Sequence, residues 1–399
     1  MSRGIVASGH PLVSKSAVDI LQQGGNAFDA AVAAGFASCV AEPALTSLGG
    51  GGFMLAYHGG KATLYDFFSD TPGLGLSPKN LTPHFFPVTI KFPSSNQNFN
   101  IGHGSVAVPG NLKGFLHIHR KLADLPLAKV LASAIAMARE GIEVNRQQAY
   151  FLNLLNPILL SSQEGSELFT INGAPISAGK RYRNPHLADF LETLCQGAEE
   201  SFYNGALATK IHRQMHIHGG LLTKKDLHSY QVIERNPLVS RRGRFTLLTN
   251  PPPSSGGQLI ANTMQLIEHL SLQQFTWGSF QHLYRLAESM RQIDAIRGQV
   301  SFSDQDSLEG WSRRTAAEIR TSAGGTTHIS IRDSKGNFAS MTTSNGEGSG
   351  CMVPDTGIML NNMMGEDDLH PDGFHSSPPG IRISSMMSPS ILLENDKPF

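Results

Sequence analysis

The residues from Ala30 to Ala41 carry no charge, and they are bracketed by Asp29 and Glu42. A helix that is apolar all round has no face to offer water, so it has to be buried. The run is too short to cross a bilayer, which takes about 20 residues. It therefore predicts a helix inside a core, and the rest of the chain has to cover it. With 399 residues there is enough chain to do so, either as two or three domains or as one large α/β core. Lys+Arg and Asp+Glu both number 32, for a formal net charge of +0. That balance excludes a general nucleic-acid binder, which would carry a basic excess. Three widely spaced cysteines, Cys39, Cys195 and Cys351, exclude a disulfide framework and a zinc ribbon. The opening MSRGIVASGHP has no signal-peptide pattern. The expected compartment is thus the cytoplasm, or the periplasm or exterior if a leader precedes this sequence.

Around the buried run the pattern alternates between helix and strand. Ser14 to Gln23 has helical spacing and stops at Gly24-Gly25, and Ala27 to Val40 is the alanine-rich helix. After Gly49 to Gly52, Phe53–His58 and Ala62–Phe67 are expected as a hairpin turning at Gly59-Gly60. Residues 72–105, rich in Pro, Ser, Asn and His, are expected as a long surface excursion. Helical periodicity returns over 111–140, and again near 186–196, 206–216, 257–272 and 279–298. Beyond Ala323-Gly324-Gly325 the period drops to two: Thr327, Ile329 and Ile331 share one strand face, SKGN (334–337) turns, and FASMTTS returns. Helices early and paired strands late predict an α+β protein with helices packed on antiparallel sheet.

Three motifs invite chemistry. His117/His119 and His216/His218 are HxH pairs, which hold a metal when they lie on a strand. Both fall in helical stretches, where residues two apart diverge, so no metal is expected. Gly49 to Gly52 lacks the GK[ST] ending of a phosphate loop and is expected as a place where backbones pass closely. The third is Gly324-Gly325-Thr326-Thr327-His328. A threonine hydroxyl is a weak nucleophile without a base beside it. Cutting the chain before the threonine creates that base, its own α-amine. The amine's ordinary pKa of about 7.7–8.0 suits proton transfer near neutrality. Two preceding glycines give the backbone the freedom such a cut requires.

The motifs GGNAFDAAVA (24–33), LGGGGFML (48–55), VPGNLKGF (108–115), AREGIEVN (138–145), FYNG (202–205), GGLLTKKDL (219–227), PPPSSGG (251–257), TTHISIRDSKGN (326–337) and GIMLNN (357–362) occur in one order. In that order the chain resembles the γ-glutamyltranspeptidases, which are glutathione hydrolases of the N-terminal nucleophile superfamily. The resemblance implies a four-layer αββα sandwich and self-cleavage between Gly325 and Thr326. It divides the chain into a large-subunit region, 1–325, and the start of a small subunit, 326–399. Thr326 would attack a γ-glutamyl amide such as glutathione and pass the acyl group to water or an amino acid. Thr343 matches the family's second threonine, which supports the nucleophile's amine, although an ungapped count puts Ser344 there. No cofactor or metal is implied. The partners are a small-molecule amide with its acceptor, and the two halves of one precursor.

The recognition residues depart from the family. Its arginine for the substrate α-carboxylate corresponds to Phe68, and its serine pair falls on Ser385 and Met386, or on Ser384-Ser385 with a one-residue shift. Its three residues for the α-amino group correspond to Asn345, Met363 and Glu366. Arg382 is the candidate replacement for the missing arginine. The alternative expectation is therefore a related acylase with a non-γ-glutamyl substrate. Only 13 residues separate Asp367 from Ile381, so an open site without a lid is expected. The sequence ends at Lys397-Pro398-Phe399, before the family's GSPGG segment with its oxyanion N–H groups. That predicts a fold incomplete at the C-terminus, and leaves an inactive, unprocessed fragment as a further alternative.

Overall fold

The computed structural model describes residues 4–77, 82–92, 95–198, 200–270, 272–296 and 325–398. In chain order the elements used below are β1 (Ile5–Ser8), α1 (Pro11–Gln22), α2 (Ala27–Ala41), β2 (Gly51–His58), β3 (Lys61–Phe67), α3 (Asn111–Leu122) and α4 (Leu127–Glu140). There follow β4 (Ile233–Arg235), β5 (Leu238–Arg242), β6 (Phe245–Thr249), α5 (Gly256–His269), α6 (Phe280–Ile296), β7 (Thr327–Arg332), β8 (Phe338–Ser344), β9 (Ile391–Glu394) and β10 (Lys397–Pro398). The chain forms two compact units, Met1–Arg235 with Gly324–Ile383, and Asn236–Ala323 with Ser384–Phe399. Each unit therefore draws on both sides of the Gly325–Thr326 bond.

The first unit is built on a six-stranded sheet, β1-β7-β8-β2-β3-β4, antiparallel throughout. Every residue of α2 is buried, as an all-apolar helix requires. Its N-terminus is closed by a capping box: the Asn26 side chain accepts from the Phe28 and Asp29 N–H groups at 2.8 and 3.0 Å, and Asp29 accepts the Asn26 N–H at 2.9 Å. A Cβ on Gly35 of α2 would stand 2.9 Å from the Phe115 ring and 3.0 Å from Met341. That one small residue lets α2 nest between α3 and β8. Ile329 and Ile331 of β7 are buried, and their alternate neighbours are exposed, which is the period-two pattern of the sequence.

The β2–β3 hairpin turns at Gly59 and Gly60, both at positive φ (57° and 80°), which suits the right-handed twist of paired strands. The four-glycine run is less a turn than the entrance to β2. A Cβ would fall 2.4 Å from the Met359 carbonyl oxygen at Gly49, 2.1 Å from that of Ser344 at Gly50, and 2.4 Å from that of Thr342 at Gly52. Two expectations are corrected. Residues 72–105 include a hairpin, Phe86–Lys91 with Asn96–Ile101, that buries Ile90, Phe99 and Ile101. The 111–140 stretch is two helices, since Pro126 has no amide hydrogen to continue α3 into α4. The helices expected downstream are present as Pro185–Cys195, Ala206–His218, α5 and α6.

The second unit carries the sheet β5-β6-β9-β10 together with α5 and α6. Among the described residues no helix is long and apolar enough to cross a membrane.

Candidate active site

Strand alternation decides which way each threonine of the Thr326-Thr327 pair faces. Thr327 opens β7, is 3% exposed, and donates its hydroxyl to Glu42 Oε2 at 2.9 Å, just past the end of α2. Burial raises the Glu42 carboxyl above its ordinary range. With Thr327 held inward, Thr326 is turned to the opposite face, and it is exposed.

Register then places the partners. Thr327 pairs with Thr343, Thr342 with His328, and Ser344 with Gly51, so Thr326 lies across from Ser344. The Ser344 hydroxyl donates to the Gly325 carbonyl oxygen at 2.6 Å and accepts the Gly346 N–H at 2.9 Å. The Thr343 hydroxyl lies on the other face, where it accepts from Thr46 at 3.0 Å and is 1% exposed. The gapped assignment of Thr343 beside the nucleophile is therefore corrected. The period of two turns that hydroxyl away, and Ser344 holds the place.

Gly325 is gripped a second time. Its N–H donates to Glu347 Oε1 at 3.1 Å, and Glu347 is 5% exposed. Its own N–H donates to Asn362 Oδ1 at 3.0 Å. Burial, reinforced by the charge of Asp368, pushes the Glu347 carboxyl up to about 7, against the opposing bond from Gly325. Burial and the charges of Glu347 and Asp368 push Glu366 well above the ordinary carboxylate range. Between these side chains lies Gly346 at φ +61°. A Cβ there would stand 2.0 Å from Glu366 Oε1 and 2.1 Å from Asn362 Oδ1, so both conformation and space require glycine. Asn345 is 2% exposed, and its Nδ2 donates to the Leu360 carbonyl at 3.4 Å. Glu366 thus lies beside the Gly325–Glu347 contact, whereas Met363 is 1% exposed in the core.

Other candidates lie elsewhere in the fold. Phe68 follows directly on the Phe67–Gly52 pair, is 1% exposed and stacks on Phe53 at 5.4 Å with 14° between rings. Arg382 is not available to a substrate. Its Nε donates to Asp70 at 2.6 Å, one terminal nitrogen to Asp66 at 2.7 Å and the other to the Gln231 carbonyl at 2.7 Å, and the guanidinium lies over the Tyr230 ring. The candidacy of Arg382 as a replacement carboxylate anchor is corrected accordingly: the buried Asp66 and the half-buried Asp70 already occupy it. Ser385 belongs to the second unit, where its hydroxyl accepts the Met387 N–H at 3.1 Å and its carbonyl accepts from Ser254 at 2.7 Å. Both HxH pairs are helical. His117 bonds Glu234 at 3.0 Å, His119 the Leu125 carbonyl at 2.9 Å, and His218 stacks on His103. Among the described residues no cluster of His, Cys, Asp and Glu could hold a metal. Glu347 was not visible as a site residue in the sequence. Its only signal there is an acid between glycines, Asn345-Gly346-Glu347-Gly348.

Comparison with known proteins matches residues 13–309 and 293–399 to the family model described as Gamma-glutamyltranspeptidase. The glutathione hydrolase proenzyme of Escherichia coli (strain K12) is 30% identical over 436 residues, spanning 99% of this chain and 74% of the relative. The acylase ACY 1 proenzyme of Pseudomonas sp. (strain SE83) is 30% identical over 424 residues, spanning 99% and 75%. Among solved structures, cephalosporin acylase from Bacillus halodurans superposes with a TM-score of 0.82 at 27% identity, covering 100% of this chain and 76% of its own. Helicobacter pylori γ-glutamyltranspeptidase gives 0.67 at 26% identity, covering 79% and 92%. The α+β fold expected from the sequence is the fold of these neighbours.

Proposed function

The chain belongs to the γ-glutamyltranspeptidase family, and we propose that it is made as a precursor and cuts itself between Gly325 and Thr326. The products are a large subunit, 1–325, and a small subunit beginning at Thr326, which then acts as an N-terminal threonine amidohydrolase and acyltransferase. Its donors are γ-glutamyl or closely related acyl amides, with glutathione the type substrate. The observation that carries this reading is the Ser344 hydroxyl on the Gly325 carbonyl oxygen at 2.6 Å, with Thr326 exposed at the next position.

In the first reaction the Thr326 hydroxyl adds to the Gly325 carbonyl carbon. The electron pair moves to the oxygen, where Ser344 stabilises it, and the C–N bond then breaks as the Thr326 nitrogen takes up the proton. Water cleaves the resulting ester and leaves a Gly325 carboxylate and a free Thr326 amine. In turnover that amine accepts the hydroxyl proton as Thr326 attacks the donor carbonyl, and the leaving amine departs with a proton. Water or an amino-acid amine then takes the acyl group. The central sheet supports two products that stay together, because β7 and β8 from one side of the cut lie between β1 and β2 from the other.

Intact-mass analysis of the purified chain tests this. The expected result is two polypeptides divided at Gly325/Thr326, a single one in Thr326→Ala, and release of p-nitroaniline from γ-glutamyl-p-nitroanilide by the cut form only. An intact wild-type chain that nonetheless turns over the anilide would overturn it. Phe68 in place of a carboxylate-binding arginine, stacked on Phe53, favours a second reading, an acylase whose preferred donor is not γ-glutamyl. Turnover of glutaryl- and succinyl-anilides above the γ-glutamyl compound would support it, and the reverse order would exclude it.

A further inference from the structure

We infer that Glu347 is a positioning residue for self-cleavage: its carboxylate holds the Gly325 N–H and, with Ser344 on the Gly325 carbonyl, sets the peptide that Thr326 attacks. The inference rests on the reading above, in which Thr326 cuts its own chain.

One turn after β8 delivers both holds. The Gly348 N–H donates to the Asn345 carbonyl at 3.1 Å, and Gly346 and Gly348 take positive φ, 61° and 87°, which glycine tolerates and other residues resist. A Cβ on Gly348 would also meet Met359 Sδ at 2.6 Å. Between these two glycines the Glu347 backbone is pinned through its N–H to Asn362 Oδ1 at 3.0 Å. The Gly346 N–H steadies the Ser344 hydroxyl at 2.9 Å.

The N–H and the carbonyl of Gly325 lie in two rigid peptide planes joined by that residue's φ and ψ. Glu347 holds one plane at 3.1 Å and Ser344 the other at 2.6 Å, which fixes how the scissile carbonyl is turned toward Thr326. Such orientation governs intramolecular rates, and a misplacement of about 1 Å can cost about 10²-fold. The fold does not itself demand glycine at 325. Its φ is outside the left-handed region, and a Cβ there would come no nearer than 3.2 Å, to the Gly346 carbonyl oxygen. The two holds, and not the freedom of the glycine, set the conformation.

An acid is a costly way to build that hold. Glu347 is buried, its Oε2 has no partner, and the acids facing it are Glu366 and Asp368. Glu366, held well above the ordinary carboxylate range by burial and by the charges of Glu347 and Asp368, keeps its proton near neutrality. A glutamine at 347 would accept the same N–H without a charge to bury. What the charge adds is strength, because an ionised acceptor binds an N–H roughly twice as strongly as a neutral one. As Glu347 ionises through about 7, its hold on Gly325 tightens.

The test follows whole and cut chain by intact mass, using full-length protein purified cold at pH 5 and moved to pH 6, 7 or 8. Glu347→Met, of similar size but with no oxygen acceptor, is expected to cut at least about tenfold more slowly than wild type at pH 8. Glu347→Gln keeps an acceptor and should recover most of that loss at pH 6. The ratio of wild-type to Glu347→Gln rates should then grow at least about threefold by pH 8. Gly325→Ala should cut within about threefold of wild type; its failure to cut would place control in the glycine and overturn the assignment. A flat ratio, or wild-type cutting by Glu347→Met, overturns it while leaving the threonine reading standing. Equal losses in Glu347→Met and Glu347→Gln at every pH would mark Glu347 as merely structural and refute it too. A wild-type chain that stays whole at all three pH values overturns the parent reading instead. If Glu347→Met does not fold, the Glu347→Gln ratio decides alone.

Discussion

Replacing Ser344 by alanine removes one hydroxyl, and the surrounding geometry says what that hydroxyl does. It sits 2.6 Å from the Gly325 carbonyl oxygen and is itself fixed by the Gly346 N–H at 2.9 Å, so its hydrogen is directed at the oxygen that becomes negative when Thr326 attacks. Loss of one such prepositioned donor typically slows acyl chemistry by about 10²–10³, or roughly 3–4 kcal/mol of barrier. The variant also strands the Gly346 N–H, at a cost of about 1–3 kcal/mol to the folded state. A fall in Tm is therefore expected alongside the kinetic loss, and urea unfolding separates the two. The assay follows the ratio of whole to cut chain by intact mass after rapid purification, as a function of time at fixed temperature. Ser344→Ala should stay predominantly uncut for at least a hundred times the wild-type half-life, and Ser344→Thr, which keeps a hydroxyl on the same carbon, should cut within about tenfold of wild type. Thr343→Val, aimed at the hydroxyl on the other face, should lose stability and still cut. Cutting by Ser344→Ala at the wild-type rate, or its loss in Thr343→Val with Ser344→Ala unaffected, would refute the register argument.

Three further outcomes follow from the same geometry. Arg382→Met leaves Asp66 and Asp70 without their buried partner and should destabilise the fold by about 3–5 kcal/mol in urea titrations; a KM effect confined to carboxylate-bearing donors, with stability unchanged, would restore Arg382 as a substrate ligand. Gly50→Ala places a methyl 2.1 Å from the Ser344 carbonyl oxygen and should displace the end of β8, so soluble yield and self-cleavage should fall together; a well-folded variant that cuts normally would contradict it. The pH dependence has a definite sign. Glu347 binds its proton more tightly folded than unfolded, so its contribution is fully present below the ordinary glutamate range and is lost as pH rises through about 7. The uncut Thr326→Ala chain should accordingly lose Tm between pH 5 and pH 8, and adding Glu347→Gln should flatten that slope; an unchanged slope would show that Glu347 does not titrate in this range.

How much of this the sequence discloses depends on whether a residue's task is periodic. The burial of Ala27–Ala41, the inward face of β7 and the Gly59-Gly60 turn all repeat a local rule, and each is legible from spacing alone. The nucleophile is legible for a different reason, because Gly-Gly-Thr-Thr states its own chemistry. Its supports do not. Which hydroxyl of Thr343-Ser344 faces Gly325 is set by the register of β8 against β7. A shift of one residue exchanges the faces, and that register is fixed in turn by contacts hundreds of residues away, Thr327 on Glu42 and Thr343 on Thr46.

The Arg382 question is of the same kind. A lone arginine beside a lost arginine reads as a replacement until Asp66 and Asp70 are placed against it. Sequence can count charges of each sign, but not which are already paired. The same holds for Glu347, where one acid in a glycine-rich turn signals nothing. Glu347 becomes a site candidate only when the fold places its carboxyl on the N–H of the residue before the nucleophile. The backbone just before Thr326 is thus held by two side chains that lie beyond it in sequence, Ser344 and Glu347, and only the register of the strands brings the two together on it.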